Sequence, residues 1–320
     1  MKRHITFLGL VLCCLILLPG TLANTYSQVF YPWLQIGDPI SAANGAYHFD
    51  LPLLAPGGPT GLGFVLSHSY DRWSEPGLPH SFRHNCAPDL IWEDNGPGNP
   101  NTVYVDLPNG LYAVFNEFGN EWVLDTSCPV RFKLKRVATN DIDGFFYLMD
   151  PIKEFVYMFE VAQSFGSDLF YFRIRTIMDR NGNSQTFSYD ATPGTDPMAP
   201  VLIQDGLGRS LTFVYSNQEL QTVTDNAGRT VTFNYEDNAP DFNNERVLRS
   251  VTDARNKTTT FTFQYFAQAD RRAPVIALQR PLGNTPFTQV PGWIDLAGTE
   301  NIRVATQTDA YGNTTTLTYD

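Results

Sequence analysis

Between Thr230 and Tyr235 polar and apolar residues alternate without a break, which places Val231, Phe233 and Tyr235 on one face of an extended strand. Comparable stretches recur along the second half of the chain, each a few residues after an Asp. Aligned on that Asp, the segments starting at Ile177, Ile203, Val223, Val251 and Gln307 carry Asp179, Asp205, Asp225, Asp253 and Asp309 at the origin. Three residues on stand Gly182, Gly208, Gly228 and Gly312, with Asn256 in the remaining unit. Eight residues on stand Phe187, Phe213, Phe233, Phe261 and Leu317, and ten residues on stand Tyr189, Tyr215, Tyr235, Phe263 and Tyr319.

Each unit predicts a β-hairpin. Asp first and Gly fourth is the residue preference of a type I turn: the carboxylate accepts a backbone N–H and the Gly takes a left-handed conformation, for which Asn is the best substitute. The aromatic face after the turn is expected to point inward. Ahead of the turn, apolar residues sit five and two positions before the Asp (Ile174 and Ile177, Leu220 and Val223, Leu248 and Val251). That spacing fits a short incoming strand with a bulge or twist better than strict alternation. Asp225 and Asp253 are 28 residues apart and Asp253 and Asp309 twice that. The Pro-rich residues 266–303 therefore hold either a degenerate unit or an inserted loop. One hairpin is marginal in water, whereas stacked hairpins share a buried face and need end caps. Because the sequence stops on a full repeat at Tyr319-Asp320, it reads as a fragment or as having its terminal edge covered by a partner.

Composition agrees with strands, since 23 Phe, 15 Tyr and 5 Trp accompany many Thr and Val. The 320 residues can hold one large or two medium domains. Charge changes the picture of partners: 22 basic residues against 33 acidic give a net charge of −11, which argues against nucleic-acid binding. The N-terminus reads as an export signal, with Lys2 and Arg3, an apolar run from Phe7 to Leu18, and small residues suited to cleavage near Ala23. That run falls short of the roughly 20 residues a membrane span needs, and no later segment approaches that length. Leu12 stands where a lipid-anchor motif at Cys13 wants a small residue. The mature chain is expected to be secreted, periplasmic or at the cell surface. There Cys86 and Cys128 form an even pair, either a disulfide or two buried thiols.

The repeats resemble those of the RHS or YD-repeat family, whose consensus runs from a bulky aliphatic through Thr-Asp, two variable residues, Gly-Arg and an alternating stretch to Tyr-Asp. Upstream, Gly37-Asp38-Pro39-Ile40, Ala43-Asn44-Gly45-Ala46-Tyr47, Leu51-Pro52-Leu53 and Ser67-His68-Ser69-Tyr70-Asp71 resemble the β-rich module that opens such proteins. The resemblance covers roughly residues 36–320. It implies sheets that spiral into a hollow shell, often around a C-terminal toxin in bacteria, or that form an extracellular barrel in animals. The chain departs from the toxin-delivery pattern: its repeats are few, and it carries neither the Asp-Pro-x-Gly-Leu self-cleavage motif nor a divergent toxin domain. Asp205-Gly206-Leu207-Gly208 occupies an ordinary turn position.

Catalytic signals are sparse. His80 and His84, with Cys86 and His68 nearby, are the densest set of metal-ligand types, but Pro79 and the Gly/Pro-rich run around it argue against the helix that would align them, and no metal is expected. Asp179-Arg180-Asn181-Gly182-Asn183 offers alternating oxygens, yet its Gly stands fourth where a calcium loop wants it sixth. No nucleophile elbow, His-Glu-x-x-His pair or phosphate loop is present, so neither enzyme activity nor a cofactor is expected. A hydrolase remains the least favoured reading, with a site in residues 24–165 where His68 or His84 would meet a carboxylate. Trp33, Trp73, Trp92, Trp122 and Trp293 can stack on sugars or fill a core, and the core reading is preferred.

The expected architecture is all-β. A signal peptide spans 1–23, a β-rich module of RHS type 24–165, and stacked hairpins forming a curved or spiral sheet, a partial shell, 166–320. Ser164–Asp168 is the most linker-like stretch between the last two, with either a break or one continuous sheet left open there. The expected role is an exported, non-enzymatic scaffold that encloses or binds a partner polypeptide or a downstream cargo domain, in toxin delivery or at the cell surface. A glycan-binding adhesin is the alternative.

Overall fold

The computed structural model describes residues 40, 47–69, 78, 82–96, 98–107, 111–128, 130–138, 144–190, 195–237, 246–264, 274–296 and 299–318. The export signal, Trp33, Trp73, His80 and Tyr319 lie outside the described residues. All regular structure among the described residues is β, in twenty-two strands.

Three strands, β1 (His48–Gly57), β2 (Leu62–Ser69) and β3 (Phe82–His84), form a small antiparallel sheet in that order, called the cap below. Next comes an eight-stranded meander: β4 (Asp89–Glu93), β5 (Thr102–Leu107), β6 (Leu111–Phe118), β7 (Glu121–Leu124), β8 (Lys133–Ala138), β9 (Gly144–Asp150), β10 (Phe155–Phe165) and β11 (Leu169–Asp179). It closes into a barrel where Leu169–Arg173 of β11 pairs with Asp89–Glu93 of β4. Closure leaves one face of each strand inside, and the two-residue beat follows: Val103, Val105 and Leu107 of β5 are buried while Thr102, Tyr104 and Asp106 are half-buried. Rings from different strands meet within the barrel, with Trp92 stacked on Phe170 at 4.8 Å and Phe146 edge-on to Phe172 at 4.9 Å and to Trp122 at 5.6 Å. Side chains fill this interior as a packed core.

The second half of β11 carries the sheet onward out of the barrel, because Thr176–Met178 pairs with β12 (Ser184–Tyr189). From there an antiparallel meander runs through β13 (Pro200–Asp205), β14 (Ser210–Ser216), β15 (Glu219–Asp225), β16 (Thr230–Glu236), β17 (Val247–Thr252), β18 (Thr258–Phe263), β19 (Val275–Gln279), β20 (Phe287–Leu296), β21 (Thr299–Asp309) and β22 (Thr314–Thr316). Ser164–Asp168, the linker-like stretch at the boundary between the two parts, is the turn of the β10–β11 hairpin, with Gly166 at φ 69°. The sheet runs through that point. The upstream module is two bodies, cap and barrel, and the barrel passes into the repeat sheet within a single strand.

The cap lies on the apolar face of the repeat sheet. Phe64 of β2 meets Phe213 and Phe233 at 6.0 and 5.8 Å, and Phe261 meets Phe82 of β3 at 5.0 Å and Phe49 of β1 at 5.8 Å. Three successive repeat phenylalanines therefore each receive a ring from the cap. At the cap's β1–β2 turn, the Gln185 side-chain amide donates to the Thr60 carbonyl and hydroxyl at 2.9 and 3.0 Å. In the same turn Gly58, at φ 101°, lies so near the Arg209 guanidinium that a Cβ would stand 2.1 Å from it.

Candidate functional site

The most repeated chemistry in the molecule is the Asp turn. In all five units the backbone N–H of the fourth residue donates to the Asp carbonyl, at 3.1 Å for Gly182, 3.4 Å for Gly208, 2.9 Å for Gly228 and Asn256, and 3.1 Å for Gly312. Those residues have φ between 57° and 87°, the left-handed region that Gly enters freely and Asn tolerates. The Asp N–H in turn donates to the fifth residue's carbonyl, which makes the three-residue hairpin loop of a type I turn followed by a left-handed residue. One oxygen of each Asp accepts two backbone N–H groups, as Asp225 does from Ala227 at 3.0 Å and Arg229 at 2.9 Å. Its other oxygen takes a side chain: Arg209 on Asp205 and Arg229 on Asp225, each at 2.6 Å, and Asn183 on Asp179 at 2.7 Å. Asp253 holds Arg255 and Asp309 holds Asn313.

Burial pushes the carboxyls of Asp205, Asp225 and Asp253 up, but the backbone donors and the adjacent guanidinium outweigh it and hold them below the ordinary carboxylate value. At Asp179 and Asp309 the side-chain amide of Asn183 or Asn313 leads the same downward shift. The carboxylates are occupied by their own turns. The Asp179 oxygens considered for calcium are the ones that bind this loop together.

Residues 274–296 resolve the choice left open for the Pro-rich stretch. They form the hairpin β19–β20, whose turn from Arg280 to Asn284 repeats the Asp-turn backbone: Gly283 N–H donates to the Arg280 carbonyl at 3.0 Å and Arg280 N–H to the Asn284 carbonyl at 2.9 Å. Arg280 stands in the Asp position. Leu282, 96% exposed, is held at φ 81°.

The repeat tyrosines do something their positions alone do not disclose. Tyr189, Tyr215 and Tyr235 donate their hydroxyls to the carbonyls of Ile174, Pro200 and Leu220, at 2.5, 3.1 and 2.7 Å. Each acceptor is the residue five before the unit's own Asp, so the turn closes one end of the unit and the tyrosine the other. Burial pushes the Tyr189 and Tyr235 phenols up, which keeps them protonated and donating. At the same step the register with the next strand slips, between Ser188 and Tyr189, Val214 and Tyr215, Asn234 and Tyr235, and Thr262 and Phe263. This is the expected bulge. It lets residues five and two before the Asp face inward together, as buried Leu220 and Val223 do. Phe187, Phe213, Phe233, Phe261 and Phe263 are buried, while Tyr189, Tyr215, Tyr235 and Leu317 pack against the core half-buried.

The upstream candidates separate. Among the described residues no group of three His, Cys, Asp or Glu side chains is placed to hold a metal ion. His68 and His84 are buried among rings, His68 stacked on Phe49 at 5.4 Å and His84 beside Phe64 at 5.5 Å. The Cys86 N–H donates to His84 Nδ1 at 3.2 Å. Of the two alternatives for the cysteines the structure has the free thiols, Cys86 buried and Cys128 half-buried: Cys86 follows the cap strand β3, with Sγ 3.4 Å from the Gly63 carbonyl, while Cys128 follows barrel strand β7, with Sγ accepting from the Val114 N–H at 3.3 Å. Burial pushes the Cys128 thiol up.

One histidine does meet a carboxylate, and it was not foreseen. His48 Nε2 lies 3.2 Å from Asp50 Oδ1, which also accepts the Ser67 hydroxyl at 2.6 Å. Burial pushes Asp50 up, but His48 and Ser67 outweigh it and hold it below its ordinary value. The order is wrong for nucleophilic catalysis, because the carboxylate stands between serine and histidine and, among the described residues, the hydroxyl's side-chain partner is the carboxylate and not an imidazole. Trp92 and Trp122 belong to the barrel core, with the Arg136 guanidinium 4.2 Å above the Trp92 ring.

No protein-family model matches the chain, and no curated protein matches it. Among solved structures it is similar to a porin-like protein from Bacteroides uniformis, at 14% identity and a TM-score of 0.28, over 75% of this chain and 100% of that one.

Proposed function

We propose that the chain is an exported, non-enzymatic scaffold of the RHS type, whose repeat sheet supplies part of a wall that binds or encloses a partner polypeptide. The observation that carries this reading is the sameness of the Asp turns: the residues repeated most often are spent on closing hairpins, and five equivalent carboxylates bound by their own loops are construction, not a reaction centre. A wall of this kind grows by adding hairpins, each satisfying its own turn and tyrosine end. The test is residue-level crosslinking of the exported chain in its native compartment, combined with its mass in solution. Crosslinks from β12–β22 to one stoichiometric polypeptide support the proposal. A monomer crosslinked only to itself overturns it.

A second reading, glycan binding, rests on Tyr104 and Tyr112, stacked at 6.3 Å on the outer barrel face with the Tyr104 hydroxyl 3.2 Å from Glu93. An aromatic pair beside a carboxylate can hold a neutral sugar ring. Silence on a glycan array, or binding unchanged by Tyr104→Ala, removes it.

A further inference from the structure

We infer that the cap is an acid-releasable unit: protonation of His84 undocks β1–β3 from the repeat sheet and uncovers the row Phe213, Phe233 and Phe261. The argument begins with where the ring sits. His84 ends β3 at 3% exposure, wedged between Phe64 of the cap at 5.5 Å and Phe213 of the repeat sheet at 5.9 Å. It is thus a histidine in the contact layer between two sheets, in a position otherwise filled by phenylalanine rings. His68, fully buried on β2, lies between Phe49 and Phe82, and both of those rings touch Phe261.

Around His84 a backbone hydrogen bond favours the charged ring, but burial and Arg83 outweigh it. On its own strand the neighbour is Arg83, whose guanidinium is ion-paired with Asp106 of the barrel. Beyond it on the chain the Cys86 N–H donates to His84 Nδ1 at 3.2 Å, a bond that protonation of that nitrogen breaks, and Tyr189 of β12 lies near enough to Cys86 to feel its thiol. From β2 and β14 the contacts are the rings of Phe64 and Phe213. Burial first, and Arg83 second, push the His84 imidazole down from 6.5 to about 3. Once the cap lifts, the ring returns to water and to its ordinary 6.5. Between those two values the lifted state binds one more proton than the docked one. Docking is therefore at full strength above 6.5 and weakens steadily as pH falls below it, approaching about tenfold per pH unit.

The cap can respond separately because it joins the repeat sheet through side chains and not through a shared strand ladder. Amide exchange on the full chain, corrected for the intrinsic pH dependence of exchange, tests this between about pH 7.5 and about pH 5. The expected result is that β1–β3 lose protection more than tenfold while the β14–β16 hairpins keep theirs, and that His84→Gln flattens the response. Equal loss in both sheets, no loss in the cap, or an unchanged response in His84→Gln overturns it. If His84→Gln releases the cap even at neutral pH, the wild-type titration decides: selective loss in β1–β3 beginning near 6.5 supports the proposal, and any other onset overturns it.

Discussion

The barrel and the repeat sheet are both antiparallel meanders of short strands, yet one closes and the other stays open beneath a cap. The barrel solves its edge problem by joining β4 to β11, two strands about eighty residues apart, and its apolar face becomes an interior lined by Trp92, Phe146 and Phe172. The repeat sheet keeps its pairing local, hairpin to hairpin, and needs a second layer to bury Phe213, Phe233 and Phe261. Closure makes a body that is finished, whereas the repeated turn makes one that can be extended.

The largest expected effect bears on that second layer. Phe64→Ala removes the ring that bridges Phe213 and Phe233, and by the usual cost of deleting a buried Phe it destabilises the cap–sheet unit by about 3–5 kcal/mol in chemical denaturation. If the barrel is an independent body, its near-ultraviolet signal from Trp92 and Trp122 keeps its own midpoint, and a shift equal to that of the cap breaks the comparison.

Next is the turn. Asp225→Ala leaves the Ala227 and Arg229 N–H groups without their acceptor and is expected to cost about 1–3 kcal/mol. Asp150→Ala in the barrel's β9–β10 turn, which likewise strips the Ile152 and Lys153 N–H groups of their acceptor, should cost a similar amount. The tyrosine end is weaker: Tyr235→Phe loses one hydroxyl bond to Leu220, for roughly 1 kcal/mol, and Phe263→Tyr offers the hydroxyl that its unit lacks. If Tyr235→Phe is neutral, the tyrosine contributes only its ring. The smallest effect is a gain. Leu282→Gly relieves a left-handed leucine but adds unfolded-chain entropy, so stability should rise by less than about 1 kcal/mol.

How much was legible in the sequence follows the same division. The Asp and Gly positions were readable because a turn is encoded within four residues, and even the hairpin at Arg280 left its trace in the 28-residue spacing. The bulge showed as an apolar spacing that no straight strand could satisfy. The tyrosine's partner did not show, because it lies 15 residues back across a strand pair. Barrel closure left no mark, since nothing in Asp89–Glu93 or Leu169–Arg173 specifies the other. His68 and His84 carried the composition of a metal site and the environment of core aromatics, and only neighbours distant in sequence distinguish the two.

The contact between Gly58 and Arg209 also bears on how the two layers can change over generations. The guanidinium is tied to Asp205 and cannot swing aside freely, so any side chain at position 58 arrives where Arg209 already stands. A side chain at position 58 would also be strained at φ 101°, so a shorter residue 209 removes the clash but not the backbone cost. Across related sequences an arginine at 209 should therefore be accompanied by glycine at 58, a coupling between cap and repeat sheet that reaches across 150 residues of chain.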